Sequence, residues 1–419
     1  MSDLRTLCPR IDDAGAAVYH QLREHPDAPA WTHALGDRLR EADMPRIEAF
    51  RASLGPVPTN PGALPIDAWR QTVPWLMGHT GEFEEIPLQS REDLVRHPER
   101  LIPVDADLDA LIRYDTSGTT GTPVGVPSHP SVTAQTTVLI EEALRRNGVT
   151  LDLGPRPLVA HVCAQQRTWT FASVFTYWGQ AGFVKVNLHP AWPREQARRY
   201  LEALDPQLVT GDPLAFAEVL AWDIGFRPRA FLSSATTFPL GLQDALRARY
   251  GSAVVDWYAT TETGPIAAST PEGMRLLCPD LYVEIVDSEG FPVPDGTLGE
   301  IVVSGGRNPY LPLIRWRTGD HAKKSGEYLF DLQARAPVSW RAGDGSIVTP
   351  VDLAHAIRPH LLSAFHFREV AGDLLLTVRA IEGERLDMAT IGADFERFLG
   401  RPVQVRLDPD LDPKRASWG

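Results

Sequence analysis

No lysine occurs between Met1 and Lys185. Any phosphate-binding loop in that stretch therefore lacks the lysine that completes a G-x-x-x-x-G-K-[ST] nucleotide loop. Phosphate charge bound there must be met by arginine, a metal ion or a lysine from elsewhere. Cysteine is scarce too: Cys8, Cys163 and Cys278 lie far apart and make no C-x-x-C pair. That excludes a four-thiolate zinc site and a disulfide framework, and leaves three structural thiols in a reducing compartment. No apolar run approaches ~18 residues, so no membrane-spanning segment is expected. The opening MSDLRTLCPR is polar and has no apolar signal core, so the expected location is the cytoplasm. A formal charge of −13 argues against a nucleic-acid footprint. The G-x-S-x-G elbow, H-E-x-x-H and His-Cys metal spacings are missing, which removes the support for a hydrolase. There is no internal repeat and no low-complexity tract.

What is present fits a large soluble α/β enzyme. The 419 residues exceed one ordinary core and suggest two or three domains, with 43% hydrophobic and 23% charged residues. Residues 1–90 read as helices broken by prolines, with starts at Pro45 and Ile66. Ser90-Arg91-Glu92-Asp93 reads as a capped helix start. Strands are expected at 158–162, 183–188, 208–210, 230–234 and 253–258. Helices are expected at 194–204, 213–223 and 239–250, and another over Phe171 to Gly182. This alternation predicts a mainly parallel sheet covered by helices, with ligands at the C-terminal strand ends. From about residue 280, strand-like segments separated by turns such as Pro294-Asp295-Gly296 predict a small antiparallel barrel or second sheet. Beyond Gln333-Ala334-Arg335-Ala336-Pro337, about 85 residues read as strand, helix, two strands, helix, strand, enough for a small α+β domain. The expected fold is thus α/β: a large domain of parallel sheets and helices plus a small antiparallel barrel (1–333), then a small α+β domain (334–419).

Three motifs carry chemistry. Tyr114-Asp115-Thr116-Ser117-Gly118-Thr119-Thr120-Gly121-Thr122-Pro123 packs four hydroxyl residues and two glycines into Thr116 to Gly121. Glycines let the backbone approach a ligand, and successive N–H groups and hydroxyls make an anion-binding concavity; a Ser/Thr/Gly surface turn uses the same residues. In Trp257-Tyr258-Ala259-Thr260-Thr261-Glu262-Thr263-Gly264, at a strand end, a carboxylate suits Mg²⁺ held together with substrate phosphates; a solvated loop glutamate is the alternative. In Ile314-Arg315-Trp316-Arg317-Thr318-Gly319-Asp320, an Asp after a Thr-Gly turn can accept bonds from vicinal hydroxyls. The arginines are natural phosphate partners, and an ordinary turn with a salt bridge is the alternative.

In this order and at these separations the three motifs resemble the adenylate-forming superfamily of acyl-CoA synthetases and luciferases. More narrowly they look like its phenylacetate–CoA ligase branch, which has a leader like Glu85-Ile-Pro-Leu-Gln-Ser-Arg-Glu-Asp-Leu94. The resemblance implies an acid activated by ATP as acyl-AMP, with release of pyrophosphate and Mg²⁺ assistance, then acyl transfer to coenzyme A. It implies that Thr116, Ser117, Gly118, Thr119, Thr120 and Gly121 wrap the β- and γ-phosphates. Tyr258 stacks on adenine, Thr261 touches the α-phosphate, Glu262 holds Mg²⁺, Asp320 binds the ribose and Arg335 lies at the hinge. Ser234, Ala235 and Thr236 fall where the family lines the adenine and acid pocket, with Trp257, Ala259 and Thr260 beside them. Gln165 to Phe171 is the candidate wall for the acid, with core packing of Trp169 and Phe171 as the other reading. An aromatic acid would suit Trp169, Phe171 and Trp257. A homodimer is common in the branch.

The chain departs from the family pattern at four places. Thr122 replaces a loop lysine, Ala259 replaces the glycine before Thr-Glu, and Pro337 stiffens the hinge. The family's essential lysine near the C-terminus has no counterpart in register; Lys414, several residues early, is the candidate. The readings that remain are a CoA ligase, an adenylating enzyme that serves a carrier-protein thiol, an amine or a reductase partner, and a nucleotide-binding relative with reduced activity.

Overall fold

A strand covered on both faces needs an unbroken apolar run rather than alternation. Leu158–Ala160 and Ala230–Leu232 supply such runs, and both lie in strands: Pro157–Cys163 and Ala230–Ser233. The structure, a computed structural model, describes residues 2–115, 125–165, 168–234, 236–333, 339–348, 350–412 and 418. The chain forms two compact units. One comprises Met1–Arg38, Asn147–Asp256 and Val338–Gly419; the other comprises Leu39–Arg146 and Trp257–Pro337.

In the first unit Ala181–Asn187, Pro157–Cys163, Leu208–Gly211, Ala230–Ser233 and the first half of Ala253–Thr260 pair in parallel, in that order. Helices Asp13–Glu24, Arg194–Leu204, Pro213–Ala221 and Leu240–Tyr250 pack with these strands in one apolar core, which includes Tyr200, Phe216 and Phe231. Gly211-Asp212-Pro213 turns strand into helix as its chemistry dictates. Asp212 Oδ1 accepts from the Ala215 N–H at 2.8 Å, and Pro213 takes the first helical position. Cys8 and Cys163 are buried here as free thiols, and burial pushes the Cys8 thiol up to about 11.

The helix expected over Phe171 to Gly182 is instead a hairpin. Phe171–Phe175 is an edge strand antiparallel to Ala181–Asn187. Aromatic and β-branched residues (Phe171, Val174, Phe175) pack on a pleated surface, and Gly179 and Gln180 turn the chain back at φ of 66° and 69°.

Residues 338–419 supply the elements expected of them. Leu362–Val370 pairs antiparallel with Asp373–Ala380, which pairs in parallel with Val403–Leu407; helices Pro350–Ile357 and Met388–Leu399 accompany them. Phe365, Phe367, Leu376 and Phe395 form the core of this part.

In the second unit the antiparallel strands make a second sheet. Its order is Leu281–Val286, Gly299–Gly305, Leu313–Ser325, Tyr328–Gln333, Gly273–Leu276, Gly264–Thr270 and the second half of Ala253–Thr260. Helix Pro130–Arg146 packs on Gly264–Thr270 and on helix Met44–Ala52. Ile112–Asp115 pairs antiparallel with Gly125–Ser128. The expected phosphate loop, Thr116 to Gly121, joins these two strands and lies outside the described residues, as do Ala235, Arg335 and Lys414. Cys278 is buried, with its thiol pushed up to about 12 by desolvation. Among the described residues no helix is long and apolar enough to cross a membrane.

Within the first unit, backbone closes in on Gly241 from two sides. A Cβ there would lie 2.6 Å from the carbonyl oxygens of both Arg358 and His360, beside the Arg358–Asp244 ion pair at 3.2 Å. Gly241→Ala is expected to cost about 1–3 kcal/mol by overpacking, read as a lower urea midpoint. An unchanged midpoint would show that residues 358–360 are not held against this helix.

Candidate functional site

The second unit builds a site around the turn that follows Ala253–Thr260. Thr260 and Thr263 close that turn on each other. Their hydroxyls lie 3.0 Å apart, the Thr263 N–H donates to Thr260 Oγ1 at 3.1 Å, and Thr263 Oγ1 donates to the Gly264 carbonyl at 2.7 Å. Gly264 has φ +65°, and a Cβ on it would lie 3.0 Å from Arg307 Nη1. Both facts call for glycine at this position.

Arg307 clamps the turn from below. Its Nε and Nη2 donate to Asp280 at 3.0 and 2.9 Å, and its Nη1 donates to the carbonyls of Thr263 and Pro265, both at 3.1 Å. The side chain is 3% exposed. Burial opposes the guanidinium charge, and the Asp280 carboxylate outweighs it, so the Arg307 pKa is raised. The turn held this way presents Thr261, which is exposed, and Glu262, whose side chain is largely buried.

Glu262 lines a cavity of about 250 Å³ together with Tyr114, Thr133, Thr263, Arg307 and Asn308. Tyr114 and Thr133 hydroxyls meet at 2.9 Å, and Asn308 Nδ2 donates to the Pro127 carbonyl at 2.7 Å. Arg91 Nε lies 3.9 Å from Glu262 Oε1.

Tyr258 and Asp320, predicted to bind nucleoside, are brought together: the Tyr258 hydroxyl donates to Asp320 Oδ2 at 2.9 Å. Desolvation, then the Asp320 carboxylate, hold the Tyr258 pKa well above that of an ordinary phenol, so it stays a donor. The Asp320 N–H donates to Thr318 Oγ1 at 3.1 Å, and Gly319 takes φ +80° in the turn before it. Trp257 is buried. Ala259 sits at an irregularity in pairing with Gly264–Thr270, outside the positive-φ region. The methyl therefore costs no backbone strain.

Ser234 and Thr236 belong to the first unit, at the C-terminal end of Ala230–Ser233; the Ser234 N–H donates to the Gly211 carbonyl at 3.0 Å. Trp169, in the candidate acid wall, is 55% exposed and stacks on His33 with centroids 4.3 Å apart, so it is not core. Phe171 is half-buried beside Phe183.

The expectation that Arg315 and Arg317 serve phosphate is corrected by their surroundings. Arg315 is buried, and its guanidinium donates to the carbonyls of Glu84, Ile86 and Gly290 at 2.6, 3.1 and 2.6 Å, with Glu284 3.5 Å away. Arg317 forks onto Glu300. Their work is to hold the backbone that presents Asp320. Reading residue types missed Arg307 and Asp280, because a clamp made of partners 27 to 44 residues away leaves no local pattern.

Among the described residues no group of three or more His, Cys, Asp and Glu could hold a metal ion. A resident metal cage does not fit that set. Mg²⁺ carried with substrate phosphates does, since it needs only one or two protein carboxylates, and Glu262 offers one.

The family model described as AMP-binding enzyme matches residues 63–308. No curated protein matches the chain in sequence. Similar solved structures include 2-hydroxyisobutyryl-CoA ligase in the postadenylation state with an acyl-AMP (17% identity, TM-score 0.58, covering 90% of this chain and 88% of that one). They also include the anthranilate CoA ligase AuaEII with anthranoyl-AMP (15% identity, TM-score 0.52, covering 74% and 66%). At these identities the likeness is one of fold.

Two outcomes test the site's supports. Arg307→Met leaves Asp280 without its partner and is expected to lose about 3–5 kcal/mol in urea unfolding; a loss below about 1 kcal/mol would show that other bonds hold the turn. Glu284 is pushed up by desolvation to about 7, against 4.5 for an ordinary glutamate. A raised carboxyl pKa contributes stability below about pH 4.5 that is lost as pH rises towards 7. Wild type should therefore lose stability relative to Glu284→Gln across that window, and parallel pH profiles would refute the assignment.

Proposed function

The chain belongs to the AMP-binding enzyme family, and we propose that it activates a carboxylic acid with ATP and passes the acyl group to the thiol of coenzyme A. The observation that carries this reading is the placement of Glu262 on a clamped turn at the cavity, with the Tyr258–Asp320 pair in the same unit. Those residues supply a metal-binding carboxylate, a ring and a hydroxyl acceptor for one nucleotide.

In the first half-reaction a carboxylate oxygen of the acid attacks the α-phosphorus in line. The bond from that phosphorus to the bridging oxygen breaks, and pyrophosphate leaves with the electron pair. The chain's task is positioning. Tyr258 stacks on adenine, with Ser234, Ala235, Thr236, Trp257, Ala259 and Thr260 around it. Asp320 accepts from the ribose hydroxyls, Thr261 meets the α-phosphate, and Thr116 to Gly121 wrap the outer phosphates. Mg²⁺ held by Glu262 supplies neutralisation of phosphate charge when bound. In the second half-reaction the thiol sulfur attacks the acyl carbon and AMP departs.

On this reading Arg335 lies at a hinge, Lys414 reaches the reacting groups, and residues 334–419 act as a lid on residues 1–333 between the two steps. The same reading takes the acid as aromatic and the branch as that of phenylacetate–CoA ligase. It also sets the protein in the cytoplasm as a homodimer.

Acid-dependent ATP–pyrophosphate exchange with Mg²⁺, over a panel of aryl and alkyl acids, tests the reading. Exchange with an aryl acid is expected, lowered at least ~100-fold in Glu262→Gln and lost in Lys414→Ala. Silence across the panel, with ATP still bound, would overturn adenylation in favour of nucleotide binding without turnover.

A further inference from the structure

One face of the first unit's sheet carries a positive charge that nothing on that face answers. Alternation along the strands sends Ala160, Val162, Val184, Val186 and Val209 into the apolar core with the helices. His161, Lys185 and Thr210 fall between them and stand on the opposite face, joined there by Phe171 and Phe183. All five are half-buried. Register sets four of them side by side. Phe171 is the Cα partner of Lys185, Lys185 of His161, and His161 of Thr210. Four strands at a spacing of about 4.8 Å make this row about 14 Å wide. His161, Lys185 and Thr210 each lie within two residues of the C-terminal end of a parallel strand, where open α/β sheets place ligands.

The charge stands alone. Strands Phe171–Phe175, Ala181–Asn187, Pro157–Cys163, Leu208–Gly211 and Ala230–Ser233 contain no aspartate or glutamate, and Lys185 is their single lysine or arginine. Among the described residues Lys185 makes no ion pair. The other described lysines are committed: Lys323 pairs with Asp331 at 2.6 Å, and Lys324 donates to the Val283 carbonyl at 2.9 Å. An ammonium drawn partly out of water without a counter-charge is costly to keep. His161 brings none. Its Nδ1 lies 2.9 Å from Thr210 Oγ1, and burial, then the Lys185 ammonium, push its pKa down to about 3, so the ring is neutral. With the Thr210 hydroxyl donating to Nδ1, the one ring proton sits on Nε2 as a donor. Phe171 and Phe183, with centroids 5.6 Å apart, add an aromatic surface to the same face.

We propose that this face is a binding site for an anionic group borne on an aromatic ring. Lys185 meets the anion, His161 donates a hydrogen bond to it, and the ring lies against Phe171 and Phe183. The site goes beyond the adenylating function, because it is built within the first unit and uses neither Glu262 nor Asp320. A ligand of this chemistry has two sources: a second anionic group on the acid that is activated, or a separate aromatic acid that regulates the chain.

The test is calorimetric binding of benzenesulfonate and of neutral benzenesulfonamide, without nucleotide, to full-length wild type, Lys185→Met and Lys185→Arg, each with its urea midpoint. Wild type should bind the sulfonate at least about tenfold more tightly than the sulfonamide. Lys185→Met should erase that difference, and Lys185→Arg should keep most of it. The Lys185→Met midpoint should be unchanged or higher, because the substitution removes an unanswered charge. No sulfonate binding, equal binding of the two probes by wild type, or a lower Lys185→Met midpoint would each overturn the proposal; the last would reveal a carboxylate partner. Pyrophosphate exchange then separates the sources. Faster exchange with 4-sulfobenzoate than with benzoate identifies the activated acid, whereas benzenesulfonate that alters exchange with an alkyl acid without competing identifies a regulator. Absent exchange would sink the adenylating function and leave the binding result standing, so the two readings fail separately.

Discussion

The second unit depends on one buried cation. Arg307 holds together three pieces of chain that have no sequence reason to meet: Asp280 ahead of an antiparallel strand, the carbonyls of Thr263 and Pro265, and its own backbone after Gly299–Gly305. Away from water an arginine must have all its charge and donors answered, and here a carboxylate and two carbonyls answer them. The requirement is strict in both directions. Because the guanidinium fills the space beside Gly264, that residue has no room for a side chain, and because Gly264 turns with positive φ, the chain reverses directly after Glu262. The Glu262 carboxylate is placed by electrostatic necessity rather than by the propensity of its own segment.

A similar division of labour runs through the Arg-Trp-Arg-Thr-Gly-Asp strand. Arg315 and Arg317 look like ligands for phosphate, but they spend their forks on backbone carbonyls and on Glu300, and so position the aspartate that follows. Strand Ala253–Thr260 also has two tasks. Its first four residues extend the parallel sheet and its last four begin the antiparallel one. That change of partner coincides with Trp257-Tyr258, where the motif begins.

The parallel core was legible because its signals are local. Short apolar stretches alternate with helices that are capped by Asp212 or end in Asp205 and Gly251 with left-handed backbone. That Tyr258 and Asp320 meet was legible because order and spacing survive in a linear sequence. Two things were not. Phe171 to Gly182 contains enough aromatic and small residues to mimic a helical face, and only its pairing with Ala181–Asn187 decides for a strand. The roles of Arg307 and Arg315 depend on desolvation and on partners far away in the chain, which composition and period do not encode.

The three thiols carry a consequence of another kind. Cys8 and Cys163 are buried in one unit and Cys278 in the other, and desolvation keeps Cys8 and Cys278 protonated at neutral pH. In the folded molecule burial shields these thiols from thiolate-seeking reagents. Each cysteine becomes a reporter only when its own surroundings open. Two labels then count openings of the first unit and one counts openings of the second, so the chain carries a built-in gauge of which half yields first.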